Sequence, residues 1–287
     1  MLALMHQAQA KNGGAKAALG MLNGLNNIDI KVNGDLCTTD TTDTTDTTDT
    51  TDSYAIQDVP ATCSGAPEGR LVLLRHGQTA WSESGQHTGR TDIPLTQVGR
   101  NQAISAGARI RQAFPNGFSE DCQFVSPLIR ARLTAQLAGF THCTPLEYAA
   151  EWDYGCAEGR TRKDVSALSG VESWDVWKDG PKALPDFMSD SCQEVLPSGE
   201  TVKVVRTNGE SLQEVSNRTQ KIIDSVLPKL KSGKDVIIVA HAHILRILAT
   251  RWLGVDASYA RLLRLDTAHY SALGTYKGDR VIVRWNC

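Results

Sequence analysis

No apolar run in this sequence approaches the roughly 20 residues that a membrane-spanning helix requires. The strongest apolar runs, 236–240 and 244–248, are short and are separated by histidines. No membrane partner is expected, and the chain reads as a soluble protein. There is also no Cys-x-x-Cys pair. The seven cysteines, at 37, 63, 122, 143, 156, 192 and 287, are odd in number and widely spaced. That pattern argues against a disulfide framework or a structural zinc site, and for free thiols in a reducing compartment. The cytoplasm is the expected location and no metal is expected. Basic clusters of the kind that track nucleic acid are missing too.

What is present divides unevenly along the chain. Residues 1–69 carry three lysines against nine acids, whereas residues 70–287 carry 27 basic against 23 acidic groups. A mildly basic body suits a small anionic substrate. Residues 38–52 read Thr-Thr-Asp five times over. A tract without large apolar side chains cannot offset the entropy of ordering, so residues 1–69 are expected to form a disordered extension and residues 70–287 the folded domain. The first 28 residues are faintly like an organelle transit peptide, although they lack arginine and serine.

From Arg70 onward the chain alternates between element types. Residues 71–75 read as a buried strand, and Thr96 as the cap of a helix with Ala103, Gly107, Ile110 and Phe114 at helical spacing. Residues 124–126 read as a second strand, followed by a helix over about 128–137. Ser211-x-x-Glu214 is a capping box for a helix with Leu212, Val215, Thr219, Ile222, Val226 and Leu230 on one face, and Pro228 inside that face leaves the last turn open. A third strand over 236–240 precedes a helix over 243–253. Strands alternating with helices give an α/β layered fold, in which ligands gather beyond the carboxyl ends of the strands. That rule selects His76, Ser126 and His241.

Arg75-His76-Gly77, Arg130, Glu151 and His241 together make a set suited to phosphate. Phosphoryl transfer chiefly needs stabilisation of charge on the equatorial oxygens, and arginine supplies a planar fork that never loses its charge. His76 can attack phosphorus through a ring nitrogen, with His241 as a further cationic or hydrogen-bonding wall. Glu151 can protonate the leaving alkoxide and then activate water. Gly77 would bring the backbone close to the bound group.

The stretch Leu71–Trp81 resembles the Arg-His-Gly signature of the histidine phosphatase superfamily, in its phosphoglycerate mutase-like branch. The acid phosphatase and phytase branch has an arginine where this chain has Thr79. Residues 84–96, 126–135, 151–159 and 240–246 resemble the next blocks of that branch in the same order. The resemblance implies a mixed, mostly parallel sheet with helices on both faces, and no metal or diffusible cofactor. It implies His76 as phosphoryl acceptor, Arg75, Arg130 and His241 around the phosphate, and Glu151 as proton donor. Gln78, Thr79, Ser82, Thr88, Gly89, Tyr154 and His243 would then lie on the substrate side. The partner implied is a small-molecule phosphate ester, and a homo-oligomer is compatible with the sequence.

Mutases of this branch have an asparagine in place of Ser82 and Arg-His-Tyr in place of Trp152-Asp153-Tyr154, with a basic pair downstream that is missing here. The motifs instead resemble sedoheptulose-bisphosphatase-type sugar phosphatases, including Trp174-x-x-Trp177-x-Asp179-Gly180 and His241-x-His243. A sugar or polyol phosphate is the expected substrate, sedoheptulose 1,7-bisphosphate and mannitol 1-phosphate among the candidates. A mutase and a non-catalytic phosphate binder are the alternatives. Ala242 stands where a glycine is usual, so its methyl could push the backbone away from phosphate. His243 either packs at a helix start or grips a distal hydroxyl or phosphate. Residues 181–208 read as an insertion that could lid the pocket.

Overall fold

The computed structural model describes residues 68–190 and 192–287, and residues 1–67 of the expected N-terminal extension, with its Thr-Thr-Asp tract, lie outside them. The first strand, β1 (Leu71–Arg75), leads into a one-turn helix, α1 (Ala80–Ser84), and then α2 (Gln97–Ala113). Next come β2 (Gln123–Val125), α3 (Ile129–Ala138), the two-residue strand β3 (Thr144–Pro145) and α4 (Arg162–Ser169). A small hairpin, β4 (Gln193–Val195) and β5 (Thr201–Lys203), precedes α5 (Leu212–Lys231). The chain closes with β6 (Val236–Ala240), α6 (Ala242–Leu253), β7 (Tyr270–Tyr276) and β8 (Asp279–Arg284).

Six strands form one sheet in the order β3-β2-β6-β1-β7-β8, with β4 and β5 apart from it. The first three pairings are parallel, and β1–β7 and β7–β8 are antiparallel. Strands β1 and β6 are central and buried on both faces, which is why each is a nearly unbroken apolar run. Their alternating side chains build two cores. Leu71, Leu73, Val236 and Ile238 meet Ile222, Val226 and Leu248 on one face; Val72, Leu74, Ile237 and Val239 meet Ile110, Ala135 and Phe114 on the other. The expected mixed, mostly parallel sheet between helical layers is therefore the observed one.

Register carries this architecture into the site. Arg75 pairs with Ala240, and Val125 with Val239. The His76 N–H then donates to the Ala240 carbonyl at 2.9 Å and the Ser126 N–H to the Val239 carbonyl at 2.9 Å. Three adjacent parallel strands thus end level with one another, and the residues just past their ends, His76, Ser126 and His241, share one crevice.

Two elements go beyond what the sequence pattern settles. The helix with Pro228 continues past it to Lys231, because the tightly buried face of Ile222, Val226 and Leu230 holds the last turn in place. After residue 253 the local pattern marks no element, whereas β7 and β8 follow. They are joined by Lys277 and Gly278 at φ 51° and 92°, a two-residue turn with both residues left-handed.

Candidate active site

Both histidines are held neutral, and their hydrogen bonds fix which nitrogen carries the proton. His76 is buried, and its Nδ1 lies 2.7 Å from the Gly77 carbonyl. A carbonyl only accepts, so Nδ1 bears the hydrogen and Nε2 keeps its lone pair. Burial, reinforced by the charges of Arg130 and Arg75, holds the His76 pKa well below the ordinary imidazole value. A ring that stays unprotonated with Nε2 free is the form that can attack phosphorus. Its backbone is pinned as well: the Ala268 N–H donates to the His76 carbonyl at 3.0 Å, and the Arg75 N–H to the His269 carbonyl at 3.1 Å.

The His241 ring lies 5.1 Å from that of His76, centroid to centroid. Its Nδ1 accepts from Arg130 Nε at 3.1 Å and its Nε2 donates to Ser126 Oγ at 2.7 Å. Burial and the neighbouring Arg130 charge hold its pKa well below normal. His241 is therefore a neutral hydrogen-bonding wall here and not a cationic one. Ser126 Oγ accepts from His241 and, at 3.4 Å, from the Leu128 N–H, so its own hydroxyl hydrogen is available to an anion.

Arg130 is completely buried. Its Nη1 donates to the Thr91 carbonyl at 2.9 Å, and its Nη2 to those of Thr88 and Gly89 at 3.0 and 2.9 Å. With the bond to His241, four of its five N–H groups are engaged by the chain itself. Arg75, at the end of β1, donates through Nη1 to the Leu265 carbonyl at 2.7 Å, while its Nε is buried without a partner. An unmade hydrogen bond of that kind costs about 1–3 kcal/mol, which a phosphate oxygen would recover.

Glu151 sits across the N-terminus of α6, where unpaired helix N–H groups attract negative charge. Its Oε1 accepts from the N–H groups of Trp152 at 2.8 Å and Ile244 at 2.9 Å, and its Oε2 from that of His243 at 3.1 Å. One carboxylate thereby caps the helix that begins directly after His241 and ties the acid to the histidine wall. Arg218 donates to the backbone carbonyls of Ala150 and Glu151, at 2.6 and 3.2 Å, and so fixes the segment that carries the acid.

The further positions expected on the substrate side divide into two groups. Tyr154 and His243 meet beside Glu151: their Oη–Nδ1 distance is 2.5 Å. Burial pushes the Tyr154 phenol up and holds the His243 pKa well down, so the phenol donates and His243 carries its hydrogen on Nε2. Thr88 and Gly89 form the loop that receives Arg130. Thr79 and Ser82, by contrast, satisfy each other as the capping box of α1, and the Gln78 side chain accepts from Thr96 Oγ1 at 2.8 Å.

Gly77 and Ala242 also have roles in the packing. A Cβ on Gly77 would lie 2.3 Å from the Gly99 carbonyl oxygen of α2, and the Gly77 N–H is used by Thr134 Oγ1 at 3.0 Å. Gly77 is therefore needed for helix packing. Ala242 is the first residue of α6 with no left-handed backbone, so its methyl imposes no conformational strain.

The insertion at 181–208 packs beside the phosphate loop. Leu196, Val202 and Val204 close over Trp81 and Ile93, and Glu194 accepts from Trp81 Nε1 at 2.9 Å. Residue-by-residue reading missed Glu158, whose carboxylate receives the Gly89 and Thr91 N–H groups. Its place in the block that follows Glu151 was the only available signal.

Comparison with known proteins agrees with this geometry. A family model described as histidine phosphatase superfamily (branch 1) matches residues 71–287. An acid phosphatase of Mycobacterium tuberculosis is 32% identical over 216 residues, covering 75% of this chain and 91% of that protein. The sedoheptulose 1,7-bisphosphatase of Saccharomyces cerevisiae is 30% identical over 213 residues, covering 65% of this chain and 68% of that enzyme. A solved M. tuberculosis open reading frame superposes with a TM-score of 0.62 at 31% identity, over 76% of this chain and 97% of that one. The chain belongs to branch 1 of the histidine phosphatase superfamily.

Proposed function

We propose that this phosphatase hydrolyses a small sugar or polyol phosphate through a phosphohistidine on His76. The observation that carries the reading is the neutral imidazole of His76, with its Nε2 lone pair free beside the unpaired Nε of Arg75. In the first step Nε2 attacks phosphorus and the P–O ester bond breaks, with the developing charge met by Arg75, Arg130 and the Ser126 hydroxyl. A protonated Glu151 gives its hydrogen to the departing alkoxide. Oε2 accepts only the His243 N–H among the bonds described above, so it is the oxygen with capacity left for that proton. In the second step water attacks phosphorus, the P–N bond breaks, and Glu151 takes the proton back from water.

The sugar or polyol reading is supported by the groups beside Glu151. The Trp177 and His243 rings lie 4.8 Å apart, and the Arg246 guanidinium covers Trp177 at 4.8 Å. An apolar ring edged by N–H donors suits a chain of C–H and O–H groups. The two relatives above, one an acid phosphatase and one a sugar bisphosphatase, are in keeping with hydrolysis.

The test is a panel of sugar and polyol phosphates plus 3-phosphoglycerate, assayed with chelator present for released phosphate and for isomerised product. Phosphate release from the sugar esters, abolished in His76→Ala, is the expected result. Isomerisation without release would establish a mutase. No turnover of any ester, or no loss in His76→Ala, would overturn the mechanism.

A further inference from the structure

We propose that Glu158 is a positioning residue for Arg130, acting through the Thr88–Thr91 loop that lies between them. The assignment rests on Arg130 handling phosphate as described above. Both side chains are completely buried. Glu158 accepts from the Gly89 N–H through both oxygens, at 3.0 and 2.9 Å, and from the Thr91 N–H at 2.9 Å. The same two residues turn their carbonyls the other way, to Arg130, at 2.9 Å each. A carboxylate only accepts and a guanidinium only donates, so opposite charges align the loop from both sides. Bonds arranged in series polarise one another in a low-dielectric interior.

Two further observations tie the loop to this role. All four hydrogen bonds of Arg130 go to neutral acceptors, so its counter-charge comes from carboxylates it does not touch. Burial of an arginine without such compensation is costly, and the carboxylates that sustain its charge are Glu151 first, then Glu158 and Asp92; of these, Glu158 is the one bonded to the loop that holds Arg130. The loop also has no freedom to drift. A Cβ on Gly89 would lie 2.5 Å from the Trp152 carbonyl oxygen and 2.8 Å from Glu158 Oε2. The insertion closes the outer side: the Val205 N–H donates to Thr91 Oγ1 at 3.0 Å, which leaves that hydroxyl to donate to Glu158. Removing the charge of Glu158 would loosen the register in which three carbonyls hold the guanidinium beside His241.

The test is a double-variant cycle on the full chain, using Glu158→Gln, Arg130→Ala and the combination. The readouts are kcat and KM on a phosphate ester, inhibition by orthovanadate as a mimic of pentavalent phosphorus, and the melting temperature. Glu158→Gln is expected to lower kcat and vanadate affinity by about 10–100-fold, somewhat less than loss of a whole transition-state donor. In the Arg130→Ala background the same substitution should cost less than about threefold, because coupled residues are non-additive. Equal costs in both backgrounds, or a fall in melting temperature with kcat and vanadate binding intact, would overturn the role. Glu158→Asp keeps the charge one methylene further back. It is run in the same cycle and decides the matter by the same criteria if the Gln variant does not fold. A wild type that releases no phosphate would instead overturn the reading of the site itself.

Discussion

Replacing Gly77 with alanine asks directly what the glycine after the nucleophile is for. The added Cβ would stand 2.3 Å from the Gly99 carbonyl oxygen and 2.9 Å from its carbon. Real Cβ atoms essentially never come within 3.0 Å and ordinary contact begins at 3.4 Å, so α2 must retreat by up to about 1 Å from the loop that follows β1, and helix backbone yields reluctantly. Overpacking of this kind costs about 1–3 kcal/mol. For a domain of this size each kcal/mol lowers the melting temperature by about 2–4 °C, so a fall of about 2–12 °C is expected. Gly99→Ala is the control. Its Cβ would meet the Gln78 carbonyl oxygen at 2.1 Å, across the same contact. It should destabilise to a similar degree, and the double variant by less than the sum, since one separation relieves both clashes. The assay is thermal unfolding by circular dichroism alongside kcat/KM. Gly77→Ala melting with the wild type while KM alone rises would show that the glycine serves backbone approach to phosphate. A neutral Gly99→Ala would be equally damaging to the packing argument.

Glu151→Gln should slow esters of aliphatic alcohols far more than p-nitrophenyl phosphate, whose leaving group needs no proton; equal losses in the two rates would remove Glu151 as the acid. Arg130→Ala should reduce kcat by about 10²–10³-fold with a poor response to added guanidine, because the guanidinium is held by four bonds in a buried slot. Stability should fall as pH drops from about 7 towards 5. His76, His87, His241 and His243 all have pKa values held below the usual 6.5, chiefly by burial. The unfolded chain therefore binds protons in that window that the native state refuses, and unfolding is favoured. Melting temperatures measured across the range check this, and a flat or rising profile towards acid would contradict it.

Much of the site was legible from residue order. Arg75-His76 and His241 lie at the ends of strands whose pattern is visible in the chain and Arg130 in the helix after the second strand, because a buried parallel strand must be apolar on both faces and a helix must be capped; Glu151 was marked only by its motif. Strand β1 and the box Ser211–Glu214 were readable for that reason. The two-residue turn at Lys277-Gly278 was a weak signal, since lysine is uncommon at positive φ, and β7 and β8 went unread. Residue types left His241 as either a cationic or a hydrogen-bonding wall. Its charge state depends on burial first and then on Arg130, whose Nε meets Nδ1 across 111 positions of sequence.

By itself, then, the sequence determined which side chains could do the chemistry and that His76, Ser126 and His241 lie at strand ends, since local pattern encodes burial and element boundaries. Only the tertiary structure decided what each is paired with: Glu151 on the N-terminus of α6, Gly77 against Gly99, and Glu158 behind the loop that holds Arg130. Such pairings depend on strand register and helix approach between distant segments, and no local pattern records them.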